Sequence, residues 1–258
     1  MATALDTRVD EARVLAEAPR DIDLSGAATS GSGSFGKSQI VNADGDLLTV
    51  FHGSRREFAK FDHSFIGYGN DMWGVGFYFT DREEIARVYA FEPETPESNV
   101  KQFHLNLENP IYMDGAVCTG MGGDLNGVGE YRFGKDTASR ILAHHPRAFL
   151  QPGQRDGDRA ENPLSDYNQM FRAGSSFSRI EIEDMIACMV DERFPSGAGW
   201  FEMWRAFGRK HGALFLKAVR AETGHDGVVI DFGDDETGVH IGRHYVAWFS
   251  DQIVAARH

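Results

Sequence analysis

The chain has 258 residues, of which 41% are hydrophobic and 25% are charged, a composition typical of a protein that buries a substantial core. Its formal net charge of −13 at pH 7 argues against a protein that tracks a nucleic-acid backbone, because such proteins are basic. The two cysteines, Cys118 and Cys188, form no CxxC motif, so neither a disulfide framework nor a zinc site is predicted. No run approaches about 18 apolar residues, and no secretion signal is visible in residues 1–10. We therefore expect a protein of the cytoplasm without a membrane span.

Residues 7–18 place apolar side chains on one stripe of a predicted helix, and the Ser/Gly-rich run SGAATSGSGS follows at residues 25–34. Such a run is typical of a flexible tether. The sequence therefore predicts an N-terminal helix and tether over residues 1–34 and one folded domain over residues 35–258.

The end of the tether resembles a phosphate-binding loop. Residues 31–38 read GSGSFGKS and match the pattern GxxxxGK[ST]. That pattern binds phosphate only where a buried strand precedes the loop and a helix follows it. Neither is predicted here, so we do not expect Lys37 to bind a nucleotide phosphate.

The predicted domain alternates between strand-rich ends and a helical middle. Strands are predicted at residues 39–41, 47–52, 76–80, 100–107 and 111–113, with a helix at 81–89. Helical periodicity then dominates residues 137–144, 179–192 and 200–223. Two further strands, at residues 227–232 and 244–249, close the chain. The helical insertion is expected to span about residues 136–220.

Short motifs of polar and aromatic residues lie on these predicted strands and on the first helix. A His-Gly-Ser run ends the second predicted strand at His52, Gly53 and Ser54. The next strand carries GFYF with Tyr78 in its third position, and Tyr89 follows eleven residues later on the predicted helix. Taken singly, each has an ordinary structural explanation, because tyrosines often pack in cores and a histidine at a strand end is usually a structural hydrogen-bonder. Their order and spacing carry more information.

This order and spacing resemble the histidine–tyrosine–glutamate class of ADP-ribosyltransferases, which includes diphtheria-like toxins and poly(ADP-ribose) polymerases. The sequence looks most like the transferase domain of the polyvalent proteins of phages and mobile elements. Matching runs lie at residues 35–41, 44–45, 50–54, 61–62, 76–80, 105–110, 226–227 and 252–253. The resemblance covers about residues 35–113 and 225–254 and does not account for the helical middle.

The resemblance implies an α+β fold, a split β-sandwich of two antiparallel sheets with a helical insertion and with NAD in the cleft. NAD would be consumed as a substrate, and no metal is implied. His52 would bind an NAD ribose hydroxyl with help from Ser54, and the backbone of Gly53 would bind the nicotinamide carboxamide. Tyr78 and Tyr89 would sandwich the nicotinamide ring. Nicotinamide leaves through an oxocarbenium-like state, so such an enzyme must hold ring and ribose in place while positive charge develops.

The third motif departs from the family. The last family strand typically begins with a glutamate that binds the 2′-hydroxyl of the nicotinamide ribose, and the matching residue here is His244. A neutral imidazole can accept that hydrogen bond, whereas an imidazolium cannot. Three alternatives stay open: His244 substitutes imperfectly, Asp235 or Glu236 reaches in from the preceding loop, or the enzyme is weak. Acidic neighbours, Asp231 and Asp234 among them, are expected to raise the pKa of His244 above about 6.5.

The resemblance implies a mono-ADP-ribosyltransferase that acts on a macromolecular acceptor, expected to be a protein, since growth of poly(ADP-ribose) chains would need the missing glutamate. The setting expected is a phage or bacterial toxin or effector that works in a cytoplasm, its own or that of a target cell. Two alternatives stay open. One is an NAD glycohydrolase, in which water is the acceptor. The other is a catalytically silent fold that binds NAD or a partner protein.

Overall fold

The computed structural model describes residues 37–55, 57–63, 66, 73–90, 99–115, 131–146, 178–207, 211–234 and 241–256. The predicted N-terminal helix and tether, residues 1–34, lie outside the described residues, as do Asp235 and Glu236. Within the described ranges, no helix is long and apolar enough to cross a membrane.

A seven-stranded sheet forms the centre of the fold. The strands in chain order are β1 (Val50–Ser54), β2 (Phe77–Thr80), β3 (Asn99–Leu105), β4 (Ile111–Asp114), β5 (Arg132–Phe133), β6 (Ala198–Gly199), β7 (Gly227–Asp231), β8 (Arg243–Ala247) and β9 (Ile253–Ala255). The large sheet has the order β4-β7-β8-β2-β1-β3-β9, and β5 pairs with β6 in a separate small sheet. Strands β4 and β7 are parallel, and all other neighbours are antiparallel. The strands predicted from residue 47 onward are confirmed, with ends displaced by a few residues. The strand predicted at residues 39–41 is wrong, because Val41 forms only an isolated bridge to Leu47.

In the part of the chain that the structure describes, five α-helices accompany the strands: α1 (Glu83–Ala90), α2 (Lys135–His144), α3 (Arg179–Arg193), α4 (Trp200–Phe207) and α5 (Gly212–Thr223). The prediction of a single helix over residues 200–223 is wrong, because α4 ends at Phe207 and α5 begins at Gly212. Apolar residues recur through both helices, so periodicity alone could not reveal the break. A Cβ at Gly212 would lie 2.6 Å from a methyl group of Val75, so this helix start packs closely on the segment before β2.

The large sheet has little backbone pairing between β1 and β2. Five Cα pairs join β1 to β3 and four join β2 to β8, but only Phe51 and Thr80 pair β1 with β2. The sheet therefore has two well-paired parts, β4-β7-β8-β2 and β1-β3-β9, that meet at one narrow junction. The predicted mixture of strands and helices is confirmed, while the division into two packed sheets stays a prediction.

Three of the matched runs, at residues 105–110, 226–227 and 252–253, are joined by hydrogen bonds next to the starts of β7 and β9. The carboxylate of Asp226 accepts hydrogen bonds from the backbone N–H groups of Glu108 and Asn109, at 2.8 and 3.0 Å. The side chain of Gln252 accepts from the N–H groups of Trp248 and Phe249 and donates to the carbonyl of Asp226 at 2.8 Å. These motifs therefore stabilise the fold.

We predict that Gln252→Ala destabilises the protein strongly. Gln252 is buried, and its removal leaves two backbone N–H groups and one carbonyl without their partner. Each buried group left unbonded costs about 1–3 kcal/mol, so urea unfolding should show a loss of at least about 2 kcal/mol. The control is Gln39→Ala, which removes an exposed amide bonded to the carbonyl of Glu108. Equal losses in the two variants would contradict this account.

Candidate active site

A hydrogen bond from His52 crosses the junction between β1 and β2. Its Nδ1 lies 2.7 Å from the backbone oxygen of Tyr78. A carbonyl oxygen can only accept, so Nδ1 carries the proton and Nε2 is left as an acceptor. Burial lowers the pKa of His52 below its usual 6.5; the bond to Tyr78 opposes this shift, and the nearby ammonium of Lys101 adds to it. The ring is therefore neutral at pH 7, with one defined tautomer.

An aromatic box surrounds this ring. The centroids of Phe58, Phe61 and Phe79 lie 5.3, 5.1 and 5.4 Å from that of His52. The ammonium of Lys101 lies 4.5 Å from the centroid of Phe58 and donates to the carbonyl of Phe58 at 2.7 Å. The box holds His52 by packing, and the hydrogen bond to Tyr78 fixes its rotation.

Gly53 and His52 lie on opposite faces of β1, and helix α1 packs on the face of Gly53. Side chains alternate along a strand, so Gly53 shares the face of Phe51 and its partner Thr80, while His52 lies on the other face. A Cβ on Gly53 would overlap the carbonyl of Ala86 in α1. Only glycine therefore lets α1 approach β1 so closely. The close packing of α1 thus explains the need for glycine at this position, whereas the sequence predicted it from the approach of a ligand. Contact between the backbone of Gly53 and a carboxamide stays a prediction.

The two tyrosines are held differently. Tyr78 is half-buried, and its hydroxyl accepts from the N–H of Trp73 at 3.0 Å and donates to the carbonyl of Gly74. Tyr89 lies on α1, beside the buried Ala90, with half of its surface exposed. The side chain of Tyr78 is thus held in place by hydrogen bonds, whereas that of Tyr89 is exposed on α1.

His244 lies at the start of β8, between Thr80 of β2 and Ile230 of β7. The alternation of side chains places it on the same face as Tyr78. Its ring meets that of Phe232 edge-on, with centroids 4.8 Å apart. Ser54, at the end of β1, pairs instead with a residue of β3, on the other side of the β1–β2 junction. Tyr78 and His244 thus lie on one face of the sheet. His52 lies on the other face, and its ring is hydrogen-bonded to the backbone of Tyr78.

The family model for ADP-ribosyltransferases in polyvalent proteins matches residues 42–258. The chain belongs to this family. No curated protein and no solved structure matches it. The matched range includes the helical middle, which the motifs alone did not account for.

In this member of the family, the predicted direction of the pKa shift of His244 is wrong. Burial lowers the pKa, and the carboxylate of Asp81 raises it by less. One reason is that Asp231, expected to raise it, is bound by the guanidinium of Arg243 at 2.7 Å, which offsets its charge. Asp81 accepts a hydrogen bond from the backbone N–H of Arg243 at 2.8 Å. The sequence motifs gave no role at this site to Asp81, although its position directly after β2 was a usable signal.

The structure describes the chain after Lys37 but not residues 31–36, which lie outside the described residues. Lys37 is exposed, and the residues after it form no helix. Ser38 instead donates to the carbonyl of Leu105 at 2.7 Å, and the N–H of Gln39 donates to that of Leu107. The described residues also hold no cluster of side chains suited to a metal ion.

We predict that acid weakens this fold partly through His52. Its folded pKa lies below 6.5, so the unfolded chain binds a proton first as the pH falls, and stability declines below about pH 6.5. His52→Phe removes this contribution, so its free energy of unfolding should fall less between pH 7 and pH 5. Urea unfolding at both pH values measures the difference. An identical decline in parent and variant would show that His52 does not contribute.

Proposed function

We propose that the protein is a mono-ADP-ribosyltransferase that cleaves the nicotinamide glycosidic bond of NAD and transfers ADP-ribose to a protein acceptor. The observation that carries this proposal is the neutral His52, locked to Tyr78 across the junction between β1 and β2. The junction is proposed as the split of the sandwich and the cleft that receives NAD. The protein is further proposed to be a phage or bacterial effector that acts in its own or a target cell's cytoplasm.

His52 is suited to bind a ribose hydroxyl. Its Nδ1–H is bonded to the carbonyl of Tyr78, so Nε2 accepts a hydrogen bond from the sugar. The ring is already fixed by Phe58, Phe61 and Phe79. Binding therefore costs little further ordering of the side chain. Ser54, two residues along on the same face of β1, is proposed to assist.

The nicotinamide is proposed to lie on the face that α1 covers. Beyond Phe51, β1 has no Cα partner on β2 among the described residues. The backbone edge near Gly53 is therefore available to bind a carboxamide. Tyr78 supplies one aromatic surface, and Tyr89 on α1 supplies the other. A planar ring fits this arrangement better than a flexible chain does.

His244 is proposed to accept the hydrogen bond of the nicotinamide-ribose 2′-hydroxyl. The neutral ring can do this, but it stabilises developing positive charge less than a carboxylate does. Asp81, on the neighbouring strand end, adds negative charge near the ring. Such a site favours a single transfer and a modest rate over chain growth.

Removing one face of the nicotinamide site should weaken NAD binding. Tyr89→Ala is expected to lower NAD affinity by about tenfold, since an aromatic pair contributes about 0.5–1.5 kcal/mol beyond burial. Val88→Ala is the matched control, because Val88 is the adjacent residue of α1 and is 72% exposed. Calorimetry on both folded variants measures the difference. Unchanged affinity in Tyr89→Ala would remove Tyr89 from the proposed site.

The pH profile tests His244. Because its pKa lies below 6.5, NAD cleavage should be constant near pH 7 and fall below about pH 6.5, as the ring is protonated. His244→Glu should cleave NAD faster and lose that inflection, because a carboxylate stabilises the developing charge. If His244→Ala and His244→Glu both match the parent in rate and pH profile, His244 has no role in the reaction.

The replacement of the family glutamate by His244 favours one further candidate, a silent module that binds NAD without cleaving it. NAD consumption with and without a cell extract separates the possibilities. A transferase labels a protein in the extract, and mass spectrometry identifies the modified residue. A glycohydrolase consumes NAD without extract, and a silent module consumes none.

A further inference from the structure

The helical segment, defined as the four helices α2 to α5, contacts the turn that leads into β2. Trp200, the first residue of α4, is completely buried. Its indole Nε1 donates to the backbone carbonyl of Trp73 at 3.0 Å. The same indole stacks on Trp248, with centroids 5.6 Å apart and planes 9° apart. Trp200 therefore joins the helical segment, the sheet and this turn.

The turn itself is shaped to receive Trp200. Gly74 has a φ of 101°, a conformation that residues with a Cβ rarely adopt. A Cβ there would lie 2.8 Å from Nε1 of Trp200. The next residue, Val75, packs closely on Gly212 at the start of α5. Helices α4 and α5 thus enclose one side of the turn.

The other side of the turn faces the candidate site. The N–H of Trp73 donates to the hydroxyl of Tyr78, which in turn donates to the carbonyl of Gly74. The ring of Trp73 also meets Phe232, with centroids 5.7 Å apart, and Phe232 meets His244 at 4.8 Å. Trp73 is therefore linked through its N–H to Tyr78, through its carbonyl to Trp200, and through its ring towards His244.

We propose that Trp200 is a positioning residue for the NAD site, and that the helical segment acts as a clamp on the Trp73–Gly74 turn. By fixing the carbonyl of Trp73, Trp200 fixes the N–H that holds the hydroxyl of Tyr78. This inference rests on the proposed function, because it assigns Tyr78 to the nicotinamide site. It gives the helical segment a role in binding, beyond enlarging the core.

The experiment compares two tryptophans of α4. Trp200→Phe keeps an aromatic ring against Trp248 but removes the donor to Trp73. It should lower NAD affinity by about threefold to tenfold, the effect of one lost hydrogen bond on the geometry of the site. Trp204→Phe is the matched control, since its buried Nε1 has no hydrogen-bond partner among the described residues. This variant should bind NAD as the parent does.

A double variant tests the route. If Trp200 acts through Tyr78, the affinity loss in Trp200→Phe/Tyr78→Phe should equal that of Tyr78→Phe alone. Additive losses, or parent-like affinity in a folded Trp200→Phe, would overturn the proposal and leave Trp200 a packing residue.

A measurement without NAD covers the case in which Trp200→Phe does not fold. In Tyr78→Phe, the Trp73–Gly74 turn loses both bonds to the hydroxyl. Hydrogen exchange of the Trp200 indole N–H, followed by NMR, should then be faster than in the parent. Unchanged exchange would overturn the clamp even if the parent binds NAD. If exchange is faster but the parent protein does not bind NAD, the proposed function is overturned. The coupling between Trp200 and Tyr78 through the turn would still hold.

Discussion

The hydrogen bond between Nδ1 of His52 and the carbonyl of Tyr78 holds together the two parts of the sheet that the candidate site needs. Strands β1 and β2 share only one Cα pair, so little backbone pairing aligns them. A side chain on β1 bonded to the backbone of β2 supplies the missing alignment. It also sets the tautomer of His52, because a carbonyl cannot donate. One contact therefore defines both the geometry of the junction and the chemical state of its histidine.

Burial, more than local charge, controls both histidines of the site. The chain carries a net charge of −13, which would favour protonated rings if the charges acted freely. Yet the pKa values of His52 and His244 are lowered, with desolvation as the largest cause in each case. Paired carboxylates such as Asp231 contribute little, because a bound guanidinium offsets them. Both rings can therefore accept a hydrogen bond at neutral pH, which is the state that the bonds proposed from the ribose hydroxyls require.

The spacing of residues along the sequence indicated the candidate site residues. It did not predict the contacts with distant parts of the chain that hold them in place. His52, Tyr78 and Tyr89 were found because their spacing along strand and helix matches a family pattern. The bond from Trp200 to Trp73 spans 127 residues, and no periodicity in either segment reveals it. The break between α4 and α5 and the lowered pKa of His244 were missed for the same reason, since each depends on tertiary packing.

The proposed replacement of the family glutamate by His244 is easier to understand from the position of Asp81. A glutamate at residue 244 would lie near the carboxylate of Asp81, in a half-buried place beside Phe232. Like charges and burial both raise the pKa of a carboxyl group, so a charged glutamate there would stabilise the reacting NAD at the cost of repulsion from Asp81. A neutral imidazole avoids that repulsion and leaves Asp81 as the acidic group beside it. The departure from the family is therefore consistent with a site whose acidic group directly follows β2 instead of lying on β8.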